Sequence, residues 1–530
     1  MHQAIPFILL VWLLVGPASG SVYYVAVDGD DDGPGTAGFP WATPGFGSRQ
    51  LLPGDELVIR NGTYVLSRFD DDIIVPVSGR EDAPIVIRGE GGAVLAGREN
   101  LFAAVILSSV SHVRLTDLEI TSEGGAWFRD GISVQGDCRA IAFERLRIHH
   151  IDEFGIDIQN VEGCAIRSCT ITHCGFGSIG GPAGTVGGIR GLLVADADLS
   201  YAGWYYRGGD GSDRPYSRPD GLGLEASDGP VEIVNTTVAH NRGDGLDSKA
   251  RNTWIHHCFV ENNGCDGIKL WGTGSSVENC IVSGTGDGVG GASPWAGVVI
   301  SGTAGSSYRL VNTAIHDNPS RLAYPIYVQY DDPEVPIDLL VRNTIVAGGY
   351  GPAWFAPSVA LTLDHSLVYR PGDADQVYAR GRTWTAAECE AGALGDGNLC
   401  RDPLFVAPAW GTRGDYRLRA ESPAIDAGTS AGAPTTDIDW RPRPRGDGTD
   451  MGAYEQGGPG PLPGCSIPPR DLDGDGRYED VNGNGRRDFA DVVALFSNLG
   501  WCAEHEPLAF DFNRNGRCDF ADVVSLFASL

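Results

Sequence analysis

The stretch Ile233-Val234-Asn235-Thr236-Thr237-Val238 returns 22 residues later as Ile255-His256-His257-Cys258-Phe259-Val260. After another 22 it returns as Val277-Glu278-Asn279-Cys280-Ile281-Val282. Asn343 in VRNTIV and His365 in LDHSLV keep the same spacing, and FERLRI (143–148) precedes IRSCTI (166–171) by 23 residues. Short β-branched strands broken by Asn and Gly turns cannot each bury a face alone, but stacked at a fixed period they share one core. The expected fold is therefore all-β, a parallel β-helix with coils of about 22 residues.

The period stretches where material is inserted. Asp196 to Asn235 spans 39 residues, one coil plus WYYRGGDGSDRPYSRPD (204–220). Such insertions project from one face of a solenoid, often the binding face. Trp204, Tyr205, Tyr206, Arg207, Arg214 and Arg218 have the chemistry of a wall that stacks sugars and clamps carboxylates; a plain surface loop is the competing account.

The flanks complete the organisation. Residues 4–15 (AIPFILLVWLLV), followed by Ala18-Ser19-Gly20, read as a secretory signal cut near Gly20, with an uncleaved anchor as the alternative. The expected product is exported and carries no membrane span after signal removal. Residues 21–105 form an entry segment with the first coils, 106–400 the β-helix core and 401–455 a closing segment that contains DPLF, SPAIDAG and DMGAYE. A Gly/Pro linker (456–470) then leads into a tail, 471–530.

The chain has 530 residues and a net charge of −30, which excludes a general nucleic-acid binder. Twelve cysteines suit an oxidising compartment without making a disulfide scaffold. Cys389/Cys400 and Cys502/Cys518 are plausible local pairs, whereas Cys258 and Cys280, one period apart, stack as small core residues. Of two N-x-Thr sequons, Asn61 and Asn235, the second is expected to face inward.

The tail carries Asp480, Asn482, Asn484, Asp488 and Asp491 at loop positions 1, 3, 5, 9 and 12, with Gly485 at position 6. The pattern repeats 31 residues later as Asp511, Asn513, Asn515, Asp519 and Asp522 with Gly516. Oxygen donors at this spacing around a turn-forming glycine are a calcium loop, and each loop runs into the short amphipathic helix DVV-x-LF. Asp471-Leu-Asp473-Gly-Asp475 is a partial third copy. The paired loops resemble a type I dockerin, which implies a small α-helical calcium-loop domain and a cohesin-like or cell-surface partner. The Ser/Thr pair that many dockerins place after position 9 is Phe-Ala here.

The candidate chemistry lies on three Asp-Gly coils: PDGLGLEAS (219–227), GDGLDSKA (243–250) and CDGIKLWG (265–272). Asp220, Asp244 and Asp266 begin equivalent strands, and three residues on stand Gly223, Asp247 and Lys269. Coils about 4.8 Å apart set Asp247 beside Lys269 and Asp220 beside Asp244. Asp220, Asp244 and Asp247 would repel one another without a shared cation, for which calcium is suited. Of the 39 basic residues only Lys249 and Lys269 are lysines. A lysine, unlike arginine, can give up its proton and act as a base, while an ordinary Asp247–Lys269 ion pair is the structural alternative. Lys249 is expected to lead away from the cluster, towards solvent or Asp228.

These segments resemble the active-site coils of family 9 polysaccharide lyases, calcium-dependent pectate lyases built on a right-handed parallel β-helix. The resemblance implies calcium held by Asp220, Asp244 and Asp247, Lys269 as the general base, and an acidic polysaccharide as substrate, cleaved by β-elimination. Gly243 stands where that family has a further aspartate, and Asp266 is a candidate substitute. A non-catalytic extracellular β-helix and a uronan C5-epimerase are the alternatives. A hydrolase would need paired carboxylates, and no spacing recommends Asp157, Glu225 or Asp228.

Overall fold

The computed structural model describes residues 20–530 apart from 69–71, 99, 123–127, 183–187, 208–217, 287–294, 318–322, 373–374, 447 and 474. The apolar run 4–15 therefore lies outside the described residues. The chain forms two compact units, Met1–Glu232 and Ile233–Leu530.

In the first unit each coil contributes one strand to each of three parallel sheets. Cys138–Glu144, Arg147–Ile151 and Phe154–Ile158 make one coil, and Val161–Arg167, Thr170–Cys174 and Gly177–Gly181 make the next. They stack in parallel register, with Ile141 opposite Cys164, Ile148 opposite Ile171 and Ile156 opposite Ile179. The helix Pro44–Gln50 packs on the first strands, where Gly47 lies against Val25, Leu57 and Trp41.

The second unit repeats the plan. Thr253–His256, Phe259–Glu261 and Ile268–Leu270 are followed by Ser275–Glu278, Ile281–Ser283 and Trp295–Ile300, again all parallel. The last coil of the stack is Val359–Asp364, Leu367–Tyr369 and Asp375–Ala379. This is a parallel β-helix, as the sequence period predicts.

The repeat has a backbone cause. Asn235, His257, Asn279, Asn343 and His365 all have φ between 44° and 54°, as do Arg145 and Ser168 in the first unit. At this corner a left-handed residue turns the chain sharply from the first sheet into the second, and Asn is the non-glycine residue best suited to it. The residues two before these turns point inward: Ile233, Ile255, Val277, Val341 and Leu363 are buried. Asn235 itself is exposed, which corrects the expectation that it faces inward: a turn residue lies outside the alternation of the strands.

The segment 401–455 runs along the second sheet. Phe405, Tyr416, Leu418, Ile438, Met451 and Tyr454 bury against Ile281, Ala314, Ile345 and Leu367, which belong to four successive coils. Turn asparagines stitch it down: Asn279 donates to the Thr436 carbonyl (2.7 Å), Asn312 to that of Asp450 (3.1 Å) and Asn343 to that of Thr429 (2.7 Å).

The tail has three helices, Phe489–Ser497, Leu499–His505 and Phe520–Ala528. Its core gathers Val481, Val492, Leu495, Cys502, Phe510, Val523 and Leu526, and Leu462 from the 456–470 linker joins it. A nearly buried ion pair between Arg445 and Glu506 fastens the tail to the closing segment. Among the described residues no helix is long and apolar enough to cross a membrane.

Cys258 and Cys280 are both fully buried with hydrogen-bonded thiols, stacked one coil apart. The thiols of Cys389 and Cys400 lie close enough to perturb each other, as do those of Cys502 and Cys518. In an oxidising compartment the latter two pairs are expected to form disulfides. The Cys502–Cys518 bridge would stabilise the tail by about 3 kcal/mol through its short loop. Peptide mapping of exported protein without reductant checks this; recovery of those four cysteines only as free thiols would count against it.

Candidate functional site

In the third sheet of the second unit, Leu246–Ala250 pairs with Ile268–Leu270, and the register sets Asp247 opposite Lys269. Leu246, Ser248, Ile268 and Leu270 are fully buried, so the alternation of the strands turns Asp247, Lys249 and Lys269 to the outer face. The Lys269 ammonium lies 3.0 Å from Asp247 Oδ2 and 3.2 Å from Asp244 Oδ2. The ring of Trp271 lies 5.3 Å from it. Burial acts to lower the Lys269 pKa, but the charges of Asp244 and then Asp247 outweigh burial and hold it well above the usual lysine range. With these two carboxylates alone, Lys269 is a charged ammonium and not a base.

Burial dominates at Asp247 and leaves it above the usual carboxylate range, although Lys269 works the other way. Its Oδ1 is buried without a hydrogen-bond partner. An anionic oxygen in that state is one a cation would satisfy, and oxygen donors are what calcium takes, so Asp244 and Asp247 fit the expected metal.

Lys249 does not lead away. Residues 247 and 249 share a strand face, which brings its ammonium to 3.8 Å from Asp247 Oδ2 and 5.4 Å from the Trp271 ring. Both lysines of the chain converge on one aspartate and one tryptophan. Asp266 is also placed differently from a ligand: it is buried, and its Oδ1 accepts from the Ala296 amide (2.8 Å). Burial, reinforced by Asp244, raises its pKa well above the carboxylate range.

Asp220 begins the strand Asp220–Ser227 of the first unit, opposite Gly177, with Gly223 opposite Gly180. Arg214 lies outside the described residues. Of the other insert residues, Tyr206 is stacked on Phe176 at 6.0 Å. The Arg207 amide donates to Asp152, while its guanidinium covers Tyr205 at 5.2 Å. Trp204 and Arg218 are exposed. Tyr206 is half-buried in this contact, while Trp204, Arg207 and Arg218 are exposed.

In the tail, Asp488 and Asp519 stand at position 9 of their loops and also cap the helices that follow, in reciprocal capping boxes with Asp491 and Asp522. Asp491 accepts from the Asn482 amide (3.0 Å) and Asp522 from that of Asn513 (3.0 Å). Gly485 and Gly516 adopt φ of 85° and 86° and donate to Asp480 and Asp511. Asp480, Asp491, Asp511 and Asp522 are all buried, and Asp480 Oδ1 has no hydrogen-bond partner. Both loops are thus folded around buried carboxylates that fit a cation. Asp471, Asp473, Asp475 and Glu479 also bring carboxylate oxygens within 4.8 Å of one another, a group that could hold a metal; the partial motif omits Glu479. The two helices expose Phe489, Val493, Phe496 and Phe520, Val524, Phe527 as matching triplets. Phe489 meets Phe527 at 6.0 Å and Phe496 meets Phe520 at 6.1 Å.

Sequence reading missed a row of aromatic residues. The register that sets Asp247 against Lys269 continues through Val299, Tyr327, Trp354 and Tyr378.

The fold defined above is a right-handed parallel β-helix, and the family model of the right handed beta helix region matches residues 216–351. Among solved structures, the chain is similar to XylC in complex with xylose (TM-score 0.53, 10% identity), covering 82% of this chain and 99% of that one. It is also similar to pectate lyase Pel9A (TM-score 0.44, 15% identity; 83% and 98% covered). A third likeness is to the A-module of the mannuronan C-5 epimerase AlgE6 of Azotobacter vinelandii (TM-score 0.40, 15% identity; 66% and 91% covered). No curated protein matches the chain in sequence.

Proposed function

We propose that this is an exported, calcium-dependent polysaccharide lyase that cuts a uronate-containing polymer by β-elimination. The observation that carries the reading is the arrangement of Lys269 between Asp244 and Asp247, with Asp247 Oδ1 buried and unsatisfied. Asp220 joins the proposed metal ligands on its spacing of one coil from Asp244 and on the resemblance to family 9 lyases. Bound there, calcium would supply positive charge that neutralises the substrate carboxylate and makes the adjacent C5 proton more acidic.

The chain's own residues do the rest. Asp244 and Asp247 hold the Lys269 ammonium when no other cation competes for their oxygens. Once their charge is taken up elsewhere, burial, which favours the neutral amine, faces only the weaker pull of Asp266. Lys269 then removes the C5 proton, a C4–C5 double bond forms, the C4–O bond breaks, and the departing oxygen takes up a proton. Trp271 borders the amine and restricts water on that side. The tail, with its two exposed Phe-Val-Phe triplets, is proposed to anchor the enzyme to a cohesin-like or cell-surface partner.

One observation favours a second reading: the closed Lys269–Asp244–Asp247 arrangement is also a complete ion pair in a non-catalytic carbohydrate-binding β-helix. Ultraviolet absorbance of unsaturated product, measured on polygalacturonate, alginate and mixed uronans with calcium and then with chelator, separates the two. A calcium-dependent rise supports the lyase, and no rise on any substrate overturns it.

A further inference from the structure

In the second unit, the outer face of the second sheet carries a slot beneath the closing segment. Ile315, Val346 and Val368 are buried inward, so the register sets His316, Ala347 and Tyr369 outward on three successive coils. Alanine on the middle rung leaves a gap between two larger rings whose coils lie about 10 Å apart. The closing segment roofs this gap without filling it. A cavity of about 400 Å³ remains, within the range of small-ligand sites.

The walls are preset. Phe405 meets the His316 ring edge-on at 5.6 Å, and Trp410 lies parallel to it at 5.0 Å and 13°. Trp410 is 39% exposed, so part of its indole stays open to solvent. Pro403 and Pro408 also border the cavity and have little backbone freedom to lose on binding. Between them Leu404 holds φ at 53°, a left-handed conformation that disfavours leucine. Two hydrogen bonds keep it there: its amide donates to Asp402 (2.9 Å), and its carbonyl accepts from the Arg419 amide (2.9 Å).

The polar groups are few. His316 Nδ1 is buried without a hydrogen-bond partner. Burial pushes the His316 pKa down to about 4 against the pull of Asp402, so the ring is neutral near pH 7. A hydroxyl satisfies a neutral imidazole nitrogen in either tautomer, because it both donates and accepts. Asp402 and Arg419 border the cavity with opposite charges, which together select neither a uronate nor a cation. Apolar ring walls beside one unsatisfied nitrogen match the C–H faces and hydroxyls of an uncharged sugar.

We propose that this cavity binds an uncharged sugar residue of a glycan, on the second sheet, while Lys269 stands on the third. The pocket is independent of the lyase reading: it holds the protein to a polysaccharide whether or not Lys269 cuts it.

Ligand-observed NMR titrations of the full chain test this with tetrasaccharides of xylose, galactose, mannose and glucose, and with trigalacturonate as the acidic control. At least one neutral tetrasaccharide is expected to bind. Trp410→Ala should weaken that binding about tenfold through lost ring contact, and Trp410→Phe should retain most of it. His316→Phe should also weaken it about tenfold, through the lost nitrogen, without loss of stability, since it removes a buried unsatisfied atom. Trigalacturonate binding should not change in any of these variants. Thermal melts identify the folded ones, and if Trp410→Ala fails to fold, His316→Phe decides. The pocket is overturned if no neutral tetrasaccharide binds, if binding is undiminished in the folded variants, or if only trigalacturonate binding falls. Variant-sensitive binding together with no product absorbance on any uronan upholds the pocket and removes the lyase reading.

Discussion

Lys269→Arg is expected to retain the fold and lose lyase activity by about a thousandfold, within the range assigned to a positioned general base. Arginine keeps a positive charge beside Asp244 and Asp247, so the ion pair survives, but its guanidinium stays protonated and cannot accept the C5 proton. Lys269→Ala loses both functions. Removing one member of a largely buried ion pair costs about 3 kcal/mol, since Asp244 and Asp247 are left uncompensated. Thermal melting beside product absorbance separates the roles. If Lys269→Arg melts as wild type and keeps full activity, Lys269 is a structural cation and another group is the base.

The second large effect concerns calcium and the tail. Each loop buries two carboxylates, Asp480 with Asp491 and Asp511 with Asp522, in a module with a small apolar core. Without a cation these charges oppose folding; with one they become its ligands, and binding adds directly to stability. Chelator is expected to open residues 471–530 to protease while the β-helix stays resistant. Asp480→Ala and Asp511→Ala should each raise the calcium needed for protection by at least about tenfold. Limited proteolysis at stepped calcium concentrations reads this, and a tail equally resistant with and without calcium would refute it.

The chemistry of the second unit was only partly legible in the sequence. The 22-residue spacing exposed the repeating coil, because Asn and His recur where the backbone requires a left-handed turn. It also put Asp247 next to Lys269, since coils without insertions preserve register. Lys249 was misread because its partner lies two residues away on its own strand face, which coil-to-coil alignment does not compare. The aromatic row was invisible for another reason. Its rungs at 299, 327, 354 and 378 are separated by 28, 27 and 24 residues, so turn insertions hide a register that the strands keep. The backbone commitment of Asp266 depends on the Ala296 amide 30 residues on, which no local pattern announces.

The Arg445–Glu506 pair has a mechanical consequence. A partner pulling on the tail would load residue 445, not the final strand of the coil stack. From there tension enters a segment held by Asn279, Asn312 and Asn343 on three different coils, and by the buried Arg443, which reaches Glu455 and the carbonyls of Gly452 and Ala453. Force is therefore shared among attachments on three coils before it reaches any one strand.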